Sequence, residues 1–92
     1  MKAKIIVYDM SKLDQYHKVL LNRVMFGFID NSNNGAYSYQ RKGILEEIPH
    51  KRLMNGALIA KMPDAKKILT ILKIHKAKIY SYDISVNSSM LK

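Results

Sequence analysis

The sequence predicts a mixed α/β domain of the α+β type, in which two helices cover one face of an antiparallel sheet. Two observations predict it. The nine residues from Ala3 to Ser11 recur from Ala77 to Ser85 with six identities, and both copies carry the β-branched and aromatic residues typical of strands. Between the copies, two stretches place apolar residues at helical spacing. We therefore expect the two copies to be the first and last strands of one sheet.

The first strand is expected from Lys4 to Met10, followed by an amphipathic helix of about four turns. Ser11 is the expected N-cap of this helix, because a hydroxyl can accept a hydrogen bond from the first turn, and Gly27 is expected to end it. The buried stripe is predicted to consist of Leu13, Tyr16, Val19, Leu20 and Val24.

A hairpin is predicted in the middle of the chain. Phe26 to Asp30 is expected to form a short strand, and Asn34-Gly35 favours the positive backbone angles of a tight turn. The returning strand is expected from Ala36 to Gly43, with Tyr37, Tyr39 and Arg41 on one side of it. Ile44 to Ile48 is expected to continue this strand until Pro49 stops it.

The second half of the chain is predicted to complete the sheet. His50 to Arg52 is expected in a basic loop before an Asn55-Gly56 turn, and the apolar run Ala57 to Met62 is expected to be a central strand. Pro63 suits the first turn of a helix, which precedes the last strand, Lys78 to Ile84. The buried stripe of this second helix is predicted to be Ala65, Ile68, Leu69 and Leu72.

This order of elements is the split βαβ arrangement of ferredoxin-like domains. We expect one such domain over residues 1–85 and a frayed C-terminal tail over residues 86–92. If the alternation is the same in both copies of the repeat, Ala3, Ile5, Val7, Ala77, Ile79 and Ser81 face the helices. The outer face then carries Lys4, Ile6, Tyr8, Lys78, Tyr80 and Tyr82.

The charge of the chain is that of a polyanion binder. Sixteen Lys and Arg against seven Asp and Glu give a net charge of +9 on 92 residues, which favours a nucleic-acid partner, RNA in preference to DNA. Tyrosines with basic neighbours on a sheet can stack unpaired bases. The candidate nucleic-acid-binding residues are Lys4, Tyr8, Tyr37, Tyr39, Arg41, Lys42, His50, Lys51, Arg52, Lys78, Tyr80 and Tyr82.

Two alternatives explain the same residues without a nucleic acid. Cross-strand tyrosine pairs stabilise sheets by themselves, and lysine-rich surfaces are common in soluble proteins. An open sheet face with apolar residues can also pair with a second copy, so a homodimer or another protein-interaction module is the second hypothesis.

The sequence offers no residues typical of catalysis. It has no cysteine, and His17, His50 and His75 lack the spacing of metal ligands. The common phosphate-binding and nucleophile motifs are missing, so we predict no catalytic residue, metal or cofactor. No apolar run reaches the length of a membrane span and no secretory signal is recognisable, so a cytoplasmic protein without a membrane partner is expected.

The opening IIVYDMS, a strand that ends in Tyr-Asp before a Ser-started helix, resembles the first strand of the small CRISPR adaptation subunit. The YSYQRKG stretch from Tyr37 is similar to that family's second strand. The resemblance implies a ferredoxin-like dimer, described as a metal-dependent nuclease and integrase partner, with Asp9 as metal ligand. The chain departs from the family where residues 43–55 replace the entry into the second helix.

The leading hypothesis is a small, basic, non-catalytic protein that binds RNA as a component of a ribonucleoprotein such as the ribosome. A CRISPR-adaptation-type nuclease that uses Asp9 and an interaction module that dimerises through its open sheet are the alternatives.

Overall fold

A computed structural model describes residues 1–32, 35, 37–87 and 89. Over these residues the chain forms six strands and three helices. In chain order they are β1 (Lys2–Asp9), α1 (Gln15–Phe26), β2 (Gly27–Ser32), β3 (Tyr37–Lys42), α2 (Ile44–Glu47), β4 (His50–Met54), β5 (Ala57–Lys61), α3 (Met62–Ile74) and β6 (Lys78–Ser85). The expected α+β class is confirmed, with one helix more than predicted.

Four strands form an antiparallel sheet in the order β4-β5-β1-β6, and β2 and β3 form a separate two-stranded sheet. The first and last strands pair along their whole length, from Lys2 opposite Ser85 to Asp9 opposite Lys78, as the repeat predicts. β5 lies inside the sheet, which explains why its apolar residues 57–60 are buried.

The register of β1 against β6 decides which side chains face the helices. Antiparallel partners point to the same face of a sheet, and Ile6 pairs with Ser81. Tyr80, the neighbour of Ser81, therefore points to the opposite face. The prediction for β6 is confirmed, but the one for β1 is wrong. Ile6 and Tyr8 lie beneath the helices, and the residues expected there, Ala3, Ile5 and Val7, lie on the other face.

The core forms between the helix-covered face of the four-stranded sheet and all three helices. It contains Ile6 and Tyr8 of β1, and the helices contribute buried side chains such as Leu21 of α1 and Ile68 of α3. Each fully buried aliphatic side chain of this kind contributes roughly 2 kcal/mol to stability. The other buried members of the core are Met25, Leu45, Ile48, Leu58, Ala60, Ala65 and Leu72.

The first helix begins later than predicted. Asp14, not Ser11, is its N-cap, and the Asp14 carboxylate accepts a hydrogen bond from the backbone N–H of His17 at 2.8 Å. The backbone N–H of Ser11 instead donates to the Asp9 carboxylate at 2.8 Å, which holds residues 9–11 in a turn. The buried stripe also differs from the prediction: Tyr16 and Val24 are 68% and 38% exposed, and the buried residues of α1 are Leu21 and Met25.

Two predictions for the middle of the chain are wrong. Ile44–Glu47 is a short helix and not a continuation of the hairpin, and Leu45 and Ile48, three residues apart, are both buried. His50–Met54 is a strand and not a basic loop, because its backbone pairs with the apolar strand β5. The hairpin turn itself was predicted at Asn34-Gly35, of which Asn34 lies outside the described residues and Gly35 has φ +87°.

The start of the predicted C-terminal tail is ordered against the sheet. Val86 is buried, and it packs on Ala3 and Ile59 on the face away from the helices. Its backbone N–H donates to the Met1 carbonyl at 2.9 Å, and the Met1 nitrogen donates to the Val86 carbonyl at 2.9 Å. Fraying is therefore wrong for Val86, while residues 88 and 90–92 of the tail lie outside the described part of the chain.

The β2–β3 hairpin, called the arm below, gives the molecule its elongated shape of 48 × 30 × 20 Å. The radius of gyration is 14.6 Å, whereas a compact chain of this length has about 12 Å. All six residues of β3 are exposed. No helix within the described ranges combines the length and the apolar character that crossing a membrane requires.

Two glycines allow close backbone contact where the arm joins the rest of the domain. Gly27 has φ +82°, and Gly43 lies so close to Gly27 and to the Met25 carbonyl that a Cβ on Gly43 would overlap backbone atoms. Gly43 itself has φ −87°, which any residue can adopt.

The substitution Gly43→Ala should therefore destabilise the fold by steric overlap alone, by about 1–3 kcal/mol. Urea unfolding followed by circular dichroism measures this loss. Ser38→Ala, on the exposed strand β3, is the control and should leave the free energy of unfolding within about 0.5 kcal/mol of the original. A Gly43→Ala protein as stable as the control would show that the base of the arm is not packed in this way.

Candidate nucleic-acid interface

One side of the arm carries aromatic rings next to a guanidinium group. Tyr39 pairs with Asp30 and Arg41 pairs with Phe28, so Tyr37, Tyr39 and Arg41 share this side with β2 residues, as their alternation predicts. The Arg41 guanidinium carbon lies 5.6 Å from the centre of the Tyr39 ring. We call this side the arm face; it consists of Phe28, Asp30, Tyr37, Tyr39 and Arg41.

The arm face stays accessible to solvent and to a ligand. Tyr37 is 55% exposed and Tyr39 is 49% exposed. Arg41 forms an ion pair with Asp30, with Nη2 and Oδ2 3.3 Å apart, but both side chains are solvated and the pair is worth less than about 1 kcal/mol. A phosphate can therefore compete for Arg41 at little cost. Lys42 is exposed on the opposite side of the arm.

A second group of exposed tyrosines lies on the face of the four-stranded sheet away from the helices, called the open face below. Tyr80 pairs with Val7 and Tyr82 with Ile5, and the two rings are 47% and 60% exposed. The Lys78 ammonium lies 5.6 Å from the centre of the Tyr80 ring. Contact with the Tyr80 side chain raises the pKa of Lys78, with a smaller contribution from Asp9. Lys78 therefore remains a full positive charge at neutral pH.

The basic segment from His50 to Arg52 is divided between the two faces by strand alternation. Lys51 pairs with Ile59 and points to the open face, where it is exposed. His50 is half-buried on the helix side, with Nδ1 2.8 Å from the Ile48 carbonyl oxygen. Arg52 also points to the helix side. Of the three predicted phosphate contacts in this segment, only Lys51 lies on the open face, where β5 and β1 separate it from the tyrosines of β6.

Like Ile6, two residues predicted to bind nucleic acid from the outer face, Lys4 and Tyr8, lie on the helix side. Tyr8 is 7% exposed and part of the core, so its placement on a stacking surface is wrong. Burial raises the pKa of the Tyr8 phenol, and the positive charge of Arg52 partly offsets this effect. Lys4 is largely covered and forms an ion pair with Asp83 at 2.5 Å, which lowers the pKa of that carboxyl group. Its placement on the outer face is likewise wrong.

Asp9, the metal ligand implied by the CRISPR resemblance, ends β1 on the open face. Hydrogen bonds from Ser11 lower the pKa of its carboxyl group, and Lys78 and Lys12 lower it further. Asp9 pairs with Lys78 at one end of the β1–β6 ladder, and Asp83 pairs with Lys4 near the other end, as the antiparallel arrangement requires. Over residues 1–32, 35, 37–87 and 89, no three His, Cys, Asp or Glu side chains come together in a way that would hold a metal ion.

Sequence reasoning missed two residues that contribute to the arm. Phe28 lies on the arm face, and Arg23 of α1 stacks on it with its guanidinium carbon 4.6 Å from the ring centre. The signal for Phe28 was available, since hairpin pairing across an Asn-Gly turn places it opposite Arg41. Arg23 could not be found this way, because its contact depends on how α1 meets the arm.

Comparison of the chain with protein-family models, curated proteins and solved structures gives no match.

The buried phenol predicts how stability depends on alkaline pH. The pKa of Tyr8 is higher in the folded protein than its ordinary value of 10.0, so the unfolded chain loses this proton first as the pH rises. The Tyr8 contribution to stability is thus complete below about pH 10 and is lost as the pH rises through the folded-state pKa.

We expect Tyr8→Phe, which cannot ionise, to reduce the loss of stability between about pH 8 and about pH 10.5. Urea unfolding of both proteins at the two pH values measures the difference. Tyr16→Phe, at an exposed tyrosine, is the matched control and should behave like the original protein. An identical alkaline loss in the original and the Tyr8→Phe protein would contradict the burial of this phenol.

Proposed function

We propose that the protein binds single-stranded nucleic acid without catalysis, RNA in preference to DNA, through the arm face and the open face. The observation that carries the proposal is the exposure of four strand tyrosines, Tyr37, Tyr39, Tyr80 and Tyr82. Two of them lie beside a cation, Tyr39 beside Arg41 and Tyr80 beside Lys78. The net charge of +9 supplies the long-range attraction for a polyanion.

The chemistry of these side chains suits unpaired bases. A tyrosine ring on a strand offers a flat surface, and stacking of one base on such a ring contributes about 1–3 kcal/mol. Arg41 and Lys78 lie next to these rings and can contact the phosphates that connect the stacked bases. Because bases in a duplex are already stacked on each other, this arrangement favours single strands. RNA presents such unpaired bases in loops and bulges, which supports RNA as the partner.

We further propose that the fold is a ferredoxin-like domain with an insertion. In such a sheet the first strand lies between the last strand and the third, and the second strand forms an edge. The order β4-β5-β1-β6 supports this assignment if β4, β5 and β6 are taken as the second, third and fourth strands. The arm and α2 are then an insertion between the first helix and the second strand. A small basic domain of this kind fits a component of a ribonucleoprotein such as the ribosome.

A second copy of the chain is the alternative occupant of the open face. Val7 and Met54 lie on this face and are 37% and 68% exposed, so it has an apolar character beside Tyr80 and Tyr82. Under this hypothesis the protein forms a dimer, and Tyr80→Ala weakens the dimer whether or not nucleic acid is present.

Binding of a fluorescent single-stranded RNA, measured by anisotropy at several salt concentrations, tests the proposed function. The logarithm of the binding constant should fall with the logarithm of salt concentration, with a slope of about −0.7 for each phosphate contacted. Tyr39→Ala and Tyr80→Ala should each weaken binding by about 5- to 150-fold, since each removes one stacking ring.

The matched control is Tyr16→Ala, which removes an even more exposed tyrosine from α1, away from both faces. It should leave the affinity unchanged. Affinity that does not depend on salt, or an equal loss in all three variants, contradicts the proposal. A light-scattering mass of a dimer that Tyr80→Ala converts to a monomer, without any affinity for RNA, would support the second copy instead.

A further inference from the structure

A cavity on the helix side of the sheet belongs to neither the arm face nor the open face. It has a volume of ≈ 380 Å³ and opens to solvent between the end of β1, α1 and the β4–β5 turn. The side chains that matter for its chemistry are Tyr8, Asn22, Phe26, Arg52 and Asn55. This volume is at the lower end of the range for small-molecule sites and suits a ligand no larger than a nucleoside.

The Arg52 side chain is held in place as a flat platform at this cavity. Its guanidinium carbon lies 4.6 Å from the centre of the Phe26 ring, so the ring covers one side of the guanidinium plane. Nη2 donates a hydrogen bond to the Asn55 side-chain oxygen at 2.9 Å, which restricts rotation of the group. Arg52 is nevertheless exposed and lines the cavity, so the other side of its plane is available for stacking.

The remaining lining groups match the edge of a base. The Asn22 amide offers both a donor and an acceptor, and the Asn55 amide keeps its N–H donors because its oxygen is used by Arg52. Tyr8 is buried except where it lines the cavity, and burial keeps its phenol protonated at neutral pH. Flat stacking on a guanidinium with hydrogen bonds to the edge is how proteins hold an unpaired base.

The lining offers more groups to a base than to a phosphate. Within the part of the chain that the structure describes, Arg52 is the one charged side chain that faces the cavity, because the Asp9 side chain points to the open face. A phosphate would use Arg52 alone, whereas a base can use the guanidinium plane together with the uncharged donors and acceptors of Asn22 and Asn55. The cavity therefore fits the nucleoside part of a strand better than its backbone.

We propose that this cavity binds one unpaired nucleobase with its sugar, stacked on Arg52 and hydrogen-bonded by Asn22 and Asn55. The inference rests on the proposed function, since the base would come from the strand held by the tyrosines. The cavity would add base recognition to a surface that otherwise binds by stacking and charge.

Nucleosides that lack a phosphate test the cavity separately from the charged surfaces. The four ribonucleosides are titrated to about 10 mM into the full ¹⁵N-labelled chain, a concentration that detects millimolar binding. The proposal predicts that the side-chain amide resonances of Asn22 and Asn55 shift for at least one nucleoside. It also predicts that Asn31, whose exposed side chain lies on the arm, shows no shift.

Two variants test the same cavity in the RNA complex. Arg52→Lys keeps the net charge but loses the flat plane, and Asn22→Ala changes an exposed helix position that the fold does not depend on. Each should weaken RNA binding by about tenfold without changing its salt slope, because no phosphate contact is lost. Lys51→Ala, next to Arg52 but on the open face, should instead reduce the salt slope.

The outcomes separate the two proposals. If RNA binds but no nucleoside shifts the Asn22 or Asn55 amides, the cavity proposal is wrong and the proposed function stands. If nucleosides shift these amides and the chain has no salt-dependent affinity for RNA, the proposed function fails and the cavity is a nucleoside site of another kind. If the Arg52→Lys protein does not fold, Asn22→Ala alone tests the cavity in the RNA complex. Full RNA affinity in the Asn22→Ala protein overturns the proposal.

Discussion

The pairing of β1 with β6 determines which side chains the helices cover and which remain in solvent. Ile6 faces Ser81 across the two strands, so Ile6 and Tyr8 point into the core while Tyr80 and Tyr82 point away from it. A shift of this register by one residue would put Ile6 and the tyrosines of β6 on the same face of the sheet. Either Ile6, now fully buried, would be exposed, or the tyrosines of β6 would lie beneath the helices. The open face and its chemistry depend on this one register.

The position of the arm determines where its tyrosines lie, and this position depends on close backbone contact at the base of the arm. Gly27 and Gly43 meet at its base, where a side chain on either would overlap backbone atoms. A two-stranded hairpin is marginally stable by itself in water, and Arg23 stacked on Phe28 ties this one to α1. The tyrosines of the arm and those of the open face consequently lie on two separate sheets. The continuous tyrosine-covered sheet that the sequence predicts is therefore replaced by two smaller surfaces.

Local patterns in the sequence predict most of the elements but not the faces. The repeat correctly predicts that the first and last strands are neighbours, and the Asn55-Gly56 turn and Pro63 correctly locate β5 and α3. Equivalent residues of the repeat nevertheless lie on opposite faces, because the pairing register depends on tertiary packing and not on the likeness of the two strands. The loop predicted at His50 to Arg52 is wrong because polar side chains give no local sign that the backbone of this segment pairs with β5. The cavity beside Arg52 brings together residues from distant parts of the chain, which no local pattern could reveal.

Chemical nitration of the tyrosines, read by mass spectrometry with and without single-stranded RNA, tests the central claim most directly. The chain has six tyrosines, of which Tyr8 is buried and the other five are exposed. The structure predicts that Tyr8 reacts far more slowly than the rest, and the proposed function predicts that RNA protects Tyr37, Tyr39, Tyr80 and Tyr82 while Tyr16 stays reactive. Similar reactivity of Tyr8 and Tyr80 in the free protein, both rapid or both slow, would contradict the register of β1 against β6, because it would put both rings on one face of the sheet. Equal reactivity of all exposed tyrosines with and without RNA would contradict the role assigned to the two surfaces.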